Sequence, residues 1–157
     1  MSLRGKPLLI GLGVTAVSVV AFLKAMTLIG EAPVRPEIVT SLPGCPASPN
    51  CVGSGPGEDA AHAVAPFTFS GDPAAALDRL QAVMEAEGGR LVRADARYLH
   101  FEYRSRFLRF VDDVECLMDA GQGRIDVRSA SRAGHSDLGV NRRRIERLRA
   151  RFNESPT

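Results

Sequence analysis

The chain has no Trp and only two Tyr among its 157 residues, so it has little from which to build an aromatic platform for bases or sugars. It also lacks a large charge excess. Twenty Lys and Arg against eighteen Asp and Glu leave a formal net charge of +2, which argues against a dedicated nucleic-acid binder although basic residues gather toward the C-terminus. Cysteine is scarce, with three in all. Cys45 and Cys51 have the spacing C-x5-C, which is not that of zinc ligands, and no His cluster follows them. The chain contains no CxxCH for c-type haem, no GxGxxG, P-loop or HExxH, no GxSxG elbow and no EF-hand spacing. No metal and no cofactor is therefore expected. No internal repeat is visible.

What is present begins with a long apolar run. Arg4 and Lys6 precede an uncharged stretch from Pro7 to Leu23; Lys24 interrupts it, and Ala25–Gly30 continues it. A spanning helix needs about 20 apolar residues, which Leu8–Gly30 supplies if Lys24 snorkels to the interface. A cleaved signal peptide is the alternative, but Pro33 obstructs the nearest A-x-A-like site at Gly30-Glu31-Ala32. No Cys follows the run at once, which argues against a lipoprotein. The basic residues ahead of the run place the N-terminus in the cytoplasm and the rest outside it, with Lys24 and Arg35 weakening that bias. The resulting division is residues 1–32 as membrane anchor or signal segment, 33–62 as linker with a cysteine loop, and 63–157 as a globular domain. An oxidising compartment suits a Cys45–Cys51 disulfide across the turn-rich PASPN, contributing about 2 kcal/mol for so short a loop. Cys116, in an apolar strand, is expected to be a buried free thiol.

Residues 31–65 are rich in Pro, Gly, Ala and Ser and read as linker and loop, with Gly53–Gly57 mobile. Val64, Phe67 and Phe69 suggest a short strand. Asp72-Pro73 is a helix start, and Leu77, Leu80 and Met84 make an apolar stripe that Gly88-Gly89 ends, giving a helix over 73–87. Strands follow at Leu91–Ala94, Tyr98–Ser105, Phe107–Met118 and Arg124–Ser131, with a turn over Asp119–Gly123. In the second, Leu99, Phe101 and Tyr103 share one face while His100, Glu102 and Arg104 share the other. A last helix runs from Asp137 or Asn141 to Phe152, with Ile145, Leu148 and Phe152 as its narrow apolar stripe. The class is α+β: an antiparallel meander of about four to five strands with two helices packed on its apolar face, preceded by a transmembrane helix.

Alternation fails at Asp112, which has the parity of Phe110, Val114 and Cys116 and so points into the core. A buried carboxylate needs a partner. Either a bulge turns Asp112 outward or an Arg reaches it, with Arg106, Arg128 and Arg132 the nearest by topology. The loop after the last strand brings Ser129, Ser131, Arg132, His135, Ser136 and Asp137 near the N-terminus of the final helix. Two readings compete. In one, Asp137 or Ser136 caps the helix and Asp112 and Asp113 pair with Arg128 and Arg132, a latch between sheet and helix. In the other, Arg106, Arg128, Arg132, Arg142 and Arg143, with Asn141, the serines and free helix N–H groups, hold a phosphate, a carboxylate or a lipid headgroup. A hydrolase set of Ser131 (or Ser129), His135 and Asp137 is weaker, because all its members lie in one short loop; no catalytic residue is assigned. The arginines of the final helix read as a solvated face with Glu146 offering local ion pairs, or as a contact for anionic lipid.

Three motifs, CPASPNC at 45–51, FVDDVE at 110–115 and RSASRAGHSDLGVNRRRIERLR at 128–149, occur in order and together resemble the domain-of-unknown-function family numbered 1499. The resemblance covers most of the chain after Pro43. It implies a bacterial envelope protein, with relatives in plastids, and brings no established catalytic residues. The expectation is thus a single-pass protein of the bacterial inner membrane with its C-terminal domain in the periplasm. Such a domain would act by binding or assembly on anionic lipid, a small anion or an envelope protein, and not on nucleic acid. The runner-up is an envelope hydrolase using Ser131, His135 and Asp137.

Overall fold

The structure, a computed structural model, describes residues 32–105 and 110–154. The apolar run before residue 31 and Arg106 lie outside the described residues; among these, no helix is long and apolar enough to cross a membrane.

Four strands form the expected antiparallel meander: β3 (Arg90–Ala94), β4 (Tyr98–Arg104), β5 (Val111–Asp119) and β6 (Arg124–Ser131). Two short strands, β1 (Cys51–Gly53) and β2 (Phe67–Thr68), pair side by side with the free edge of β6, giving six strands in the order β1-β6-β5-β4-β3 with β2 also on β6. β1 is the addition to the sequence expectation. Three residues within a Gly- and Pro-rich stretch carry no period of their own; pairing of Cys51 with Ala130 and Gly53 with Arg128 makes them a strand.

Helix α1 (Pro73–Ala86) starts where Asp72 accepts the Ala74 and Ala75 N–H groups. It stops at Gly88, whose φ of 86° is left-handed. At Gly89 a Cβ would meet the Met84 carbonyl and the Phe101 and Tyr103 rings at 2.8 Å, so the chain can turn back onto the sheet only without a side chain there. Helix α2 (Val140–Glu154) packs Ile145, Leu148 and Phe152 beside Leu77, Leu80 and Met84 of α1. Both helices cover the face formed by Leu99, Phe101, Tyr103, Val114, Cys116, Ile125 and Val127. Cys116 is buried and free, as expected, and burial pushes its thiol well up from the ordinary value.

The opposite face is not left to solvent, as it commonly is in antiparallel sheets. β4 is buried on both sides from Tyr98 to Tyr103, and β5 from Val111 to Met118. Part of the cover is residues 35–42, a strap from the stretch that reads as linker. Val39 and Leu42 pack on Tyr98 and Leu117, and Arg93 donates to the carbonyls of Pro36 (2.9 Å) and Glu37.

Candidate functional site

β5 pairs with β6 without a break, Asp112 facing Ser131 and Val114 facing Ser129. No bulge turns Asp112 outward; the irregularity in the sheet lies instead in β3, between Leu91 and Arg93. Asp112 therefore points toward the helices, and its partner corrects the sequence expectation. Arg144 of α2 donates to Asp112 Oδ2 at 2.5 Å, and Ser131 Oγ donates to Oδ1 at 2.6 Å. Arg144 also donates to Asn141 Oδ1 (2.5 Å) and Ser129 Oγ (3.2 Å), and lies 4.7 Å from the centre of the Tyr103 ring. Ser129 donates to Asn141 Oδ1 at 2.6 Å, while the Asn141 amide donates to Ser131 Oγ (3.1 Å) and to the Asn50 carbonyl (3.0 Å). Asn141, Arg144, Ile145 and Leu148 recur at three and four residues, so Arg144 shares the buried stripe of α2 rather than its solvated side. The result is a closed, charge-balanced latch between sheet, helix and cysteine loop.

The remaining helix-end residues serve the backbone. Asp137 accepts the N–H groups of Gly139 (2.9 Å) and Asn141 (2.7 Å), and Ser136 Oγ accepts that of Leu138 (3.2 Å), which spends the helix N-terminus on a cap. Arg142 donates to the carbonyls of Ala61 and Ala63, both at 2.8 Å, Arg143 to that of Leu138 at 2.9 Å, and Arg149 to that of Ala65 and to Glu146. Arg142 and Arg149 thus clamp the 61–65 segment, while Arg147 and Arg151 stay exposed beside Glu87, as the solvated face the sequence suggested. Ser131 donates to Asp112 and accepts from Asn141, His135 is exposed, and Asp137 holds the cap. No hydrogen bond joins these three to one another among the described residues.

Residues of opposite parity build a second cluster on the outer face. Asp113 accepts from Arg132 Nε and Nη2, both at 2.7 Å, and its Oδ1 is 2.7 Å from His100 Nε2. Arg132 Nη2 also donates to Glu102 Oε1 at 2.5 Å, and Arg90 and Arg104 reach the other Glu102 oxygen. Glu115, fully buried, is held by Arg35 of the strap through two bonds of 2.6 Å and by the Tyr98 hydroxyl at 2.6 Å. Burial pushes the carboxyls of Asp113, Glu115 and Glu102 up, but the donors outweigh it and hold all three below the ordinary range: Arg132 and His100 on Asp113, Arg35 and Tyr98 on Glu115, Arg90 and Arg132 on Glu102. Burial and the bond to Glu115 push the Tyr98 hydroxyl far up. Hydrogen bonding to Asp113, against the cost of burial, raises Arg132.

Arg128 stands apart from this pairing. Its side chain is 14% exposed, and among the described residues its one ion pair is with Glu115 at 3.5 Å and its buried Nε has no hydrogen-bond partner. Burial lowers its pKa from the usual arginine value, and Glu115 only partly offsets that. Among the described residues this cluster joins Arg35, Arg90, Arg104, Arg128 and Arg132 to Glu102, Asp113 and Glu115; Arg124 pairs with Asp126 on the same face, and Glu58 also acts on Arg128.

A family model described as "Protein of unknown function (DUF1499)" matches residues 41–152. The chain belongs to the DUF1499 family. No curated protein and no solved structure matches it. The DUF1499 match takes in both polar clusters except Arg35, and it ends at Phe152, a buried core residue of α2.

Within the match, the twelve site residues suggested by sequence divide by parity. Asp112, Ser129, Ser131 and Asn141 meet in the latch. Asp113, Arg128 and Arg132 meet on the outer face. Ser136, Asp137, Arg142 and Arg143 tie down the start of α2, and Arg106 lies outside the described residues. Sequence reasoning missed Asn50, Arg144, Tyr98, His100, Glu102, Glu115 and Arg35 as site members. The alternation of His100 with Glu102 and of Asp113 with Glu115 was a visible signal, but it ordinarily marks a solvent face. The Cys45–Cys51 disulfide is formed, with Cα atoms 5.6 Å apart. His62 braces its loop through the Ser48 carbonyl (3.2 Å) and Asp59 (2.9 Å), and these partners raise the His62 pKa. Among the described residues, no group of three His, Cys, Asp or Glu is placed to hold a metal ion.

Proposed function

We propose that this domain is a binding module of the bacterial envelope, held at the inner membrane by its N-terminal segment with the domain in the periplasm, and that it captures an anionic group on the outer face of its sheet. The observation that carries this is Arg128: a cation largely removed from water, whose Nε has no hydrogen-bond partner among the described residues and whose neighbouring carboxylate, Glu115 at 3.5 Å, is already bound by Arg35 and Tyr98. Buried ion pairs contribute little net stability compared with apolar residues of the same volume, so a dense set of them on one sheet face has a better rationale in recognition than in folding. A planar guanidinium suits the oxygens of a phosphate or carboxylate. The latch around Asp112 supports the structural reading of that half of the motif, because its donors and acceptors already satisfy one another.

The test is thermal melting of the full chain in detergent with inorganic phosphate and, separately, glycerol 1-phosphate, at constant ionic strength. Binding raises the melting temperature with ligand concentration. Arg128→Gln should abolish the rise and leave the unliganded protein as stable or slightly more so, since it removes the cost of burying the Arg128 charge, which outweighs the attraction to Glu115. A response to glycerol 1-phosphate alone would favour a headgroup over free phosphate. A melting temperature that responds to neither, or equally in wild type and Arg128→Gln, would discard the reading.

A further inference from the structure

We infer that the outer face of the sheet is turned toward the bilayer and that Val34 and Ile38 of the strap enter its headgroup region. The inference rests on the N-terminal run being a membrane anchor. Given that, chain length sets the orientation. The apolar run ends at Gly30 and the chain is pinned at Arg35, whose guanidinium makes two 2.6 Å bonds to the fully buried Glu115. The five Cα–Cα steps from Gly30 to Arg35 span at most about 3.5 Å each, so the Arg35 backbone, pinned over that face, stays within roughly 18 Å of the bilayer boundary.

Two further features of that face fit lipid. Val34 is 91% exposed and Ile38 78% exposed, on either side of the Arg35 anchor and the Arg93 clamp. Isolated apolar side chains flanked by arginines suit the headgroup region, where the apolar part is buried and the cation meets phosphate. Beside Ile38 lies a cavity of about 380 Å³, lined in part by Val39, Ala96 and Tyr98, with Glu37, Asp95 and Arg97 among its polar residues. By contrast Leu138, 84% exposed, precedes α2, in the layer that covers the other face of the sheet.

The absence of Trp from the chain makes the test site-specific. Ile38→Trp and, as control, Leu138→Trp each introduce a single indole at an exposed position. The full chain is reconstituted in vesicles of phosphatidylethanolamine and phosphatidylglycerol, and emission is read with and without brominated acyl chains. Ile38→Trp should be blue-shifted and quenched several-fold more than Leu138→Trp. Protein that floats with the vesicles after alkaline washing but shows a water-exposed, unquenched indole for Ile38→Trp overturns this inference and leaves the anchor standing. Equal quenching of the two variants overturns the orientation. A chain that does not float overturns the anchor reading and this inference with it.

Discussion

The two faces of the β5–β6 pair carry neighbouring residues of the same motifs yet are built on different terms. Toward the helices, Asp112 and Arg144 balance one charge with one, and Ser129, Ser131 and Asn141 close the network. On the other side, one residue along each strand, Asp113, Arg128 and Arg132 belong to a cluster in which Arg128 Nε has no hydrogen-bond partner among the described residues. The comparison teaches that a dense polar motif is not one site. Strand parity sorts it into a closed network under the helices and a second ionic cluster on the other face.

If the faces differ in this way, they should break differently. The largest effect is expected inside. Asp112→Ala strands Arg144 in the core and should cost about 3–5 kcal/mol, as removal of one partner of a buried pair does. Arg144→Ala should cost a similar amount, and the double variant less than the sum of the two, because they share one interaction. Arg147→Ala, on the exposed side of α2, should stay within about 0.5 kcal/mol. Chemical denaturation of the four proteins measures this; an Asp112→Ala loss no larger than that of Arg147→Ala would remove the latch.

A smaller, pH-dependent effect is expected outside. The carboxyls of Asp113, Glu102 and Glu115 titrate below their ordinary values in the fold. Their contribution is therefore complete above the unfolded values, about 3.9 for Asp and 4.3 for Glu, and is lost as pH falls through the lower folded ones. The stability gap between wild type and Arg132→Gln should be full at neutral pH and close as the solution is acidified below about pH 4. A gap of constant size down to acid unfolding would mean that Arg132 acts by packing alone.

The smallest effect sharpens the comparison at the edge where both faces meet the cysteine loop. The His62 pKa is raised by Ser48 and Asp59, so its brace on the loop is fully present below the ordinary value of about 6.5 and fades as pH rises through the raised one. Amide exchange in the 45–53 segment should quicken with pH beyond the intrinsic chemical dependence in the wild type. In His62→Gln that extra dependence should vanish.

Much of this architecture was legible from sequence because its causes are local. Asp72-Pro73 and Gly88 bound α1, Asp137 caps α2, and Leu99, Phe101 and Tyr103 declare the inner face of β4. The six-residue separation of Cys45 and Cys51 suits their disulfide. The same parity argument correctly sent Asp112 inward. It misjudged Arg144 because the helix is so rich in arginine that composition hid which one lies on the apolar stripe. It missed the outer cluster because alternating ionisable residues on a sheet ordinarily face water.

By itself, then, the sequence determined the order of the elements apart from β1, their caps, the two faces of the meander strands and the pairing of Cys45 with Cys51, since each depends on residues close together in the chain or on a period of two or 3.6. Only the tertiary structure decided the partners of the buried charges. Arg144 and Asp112 are 32 residues apart and Arg35 and Glu115 are 80 apart, and no local propensity ranks one distant arginine over another. Only packing, which puts α2 over one face of the sheet and the strap over the other, makes that choice.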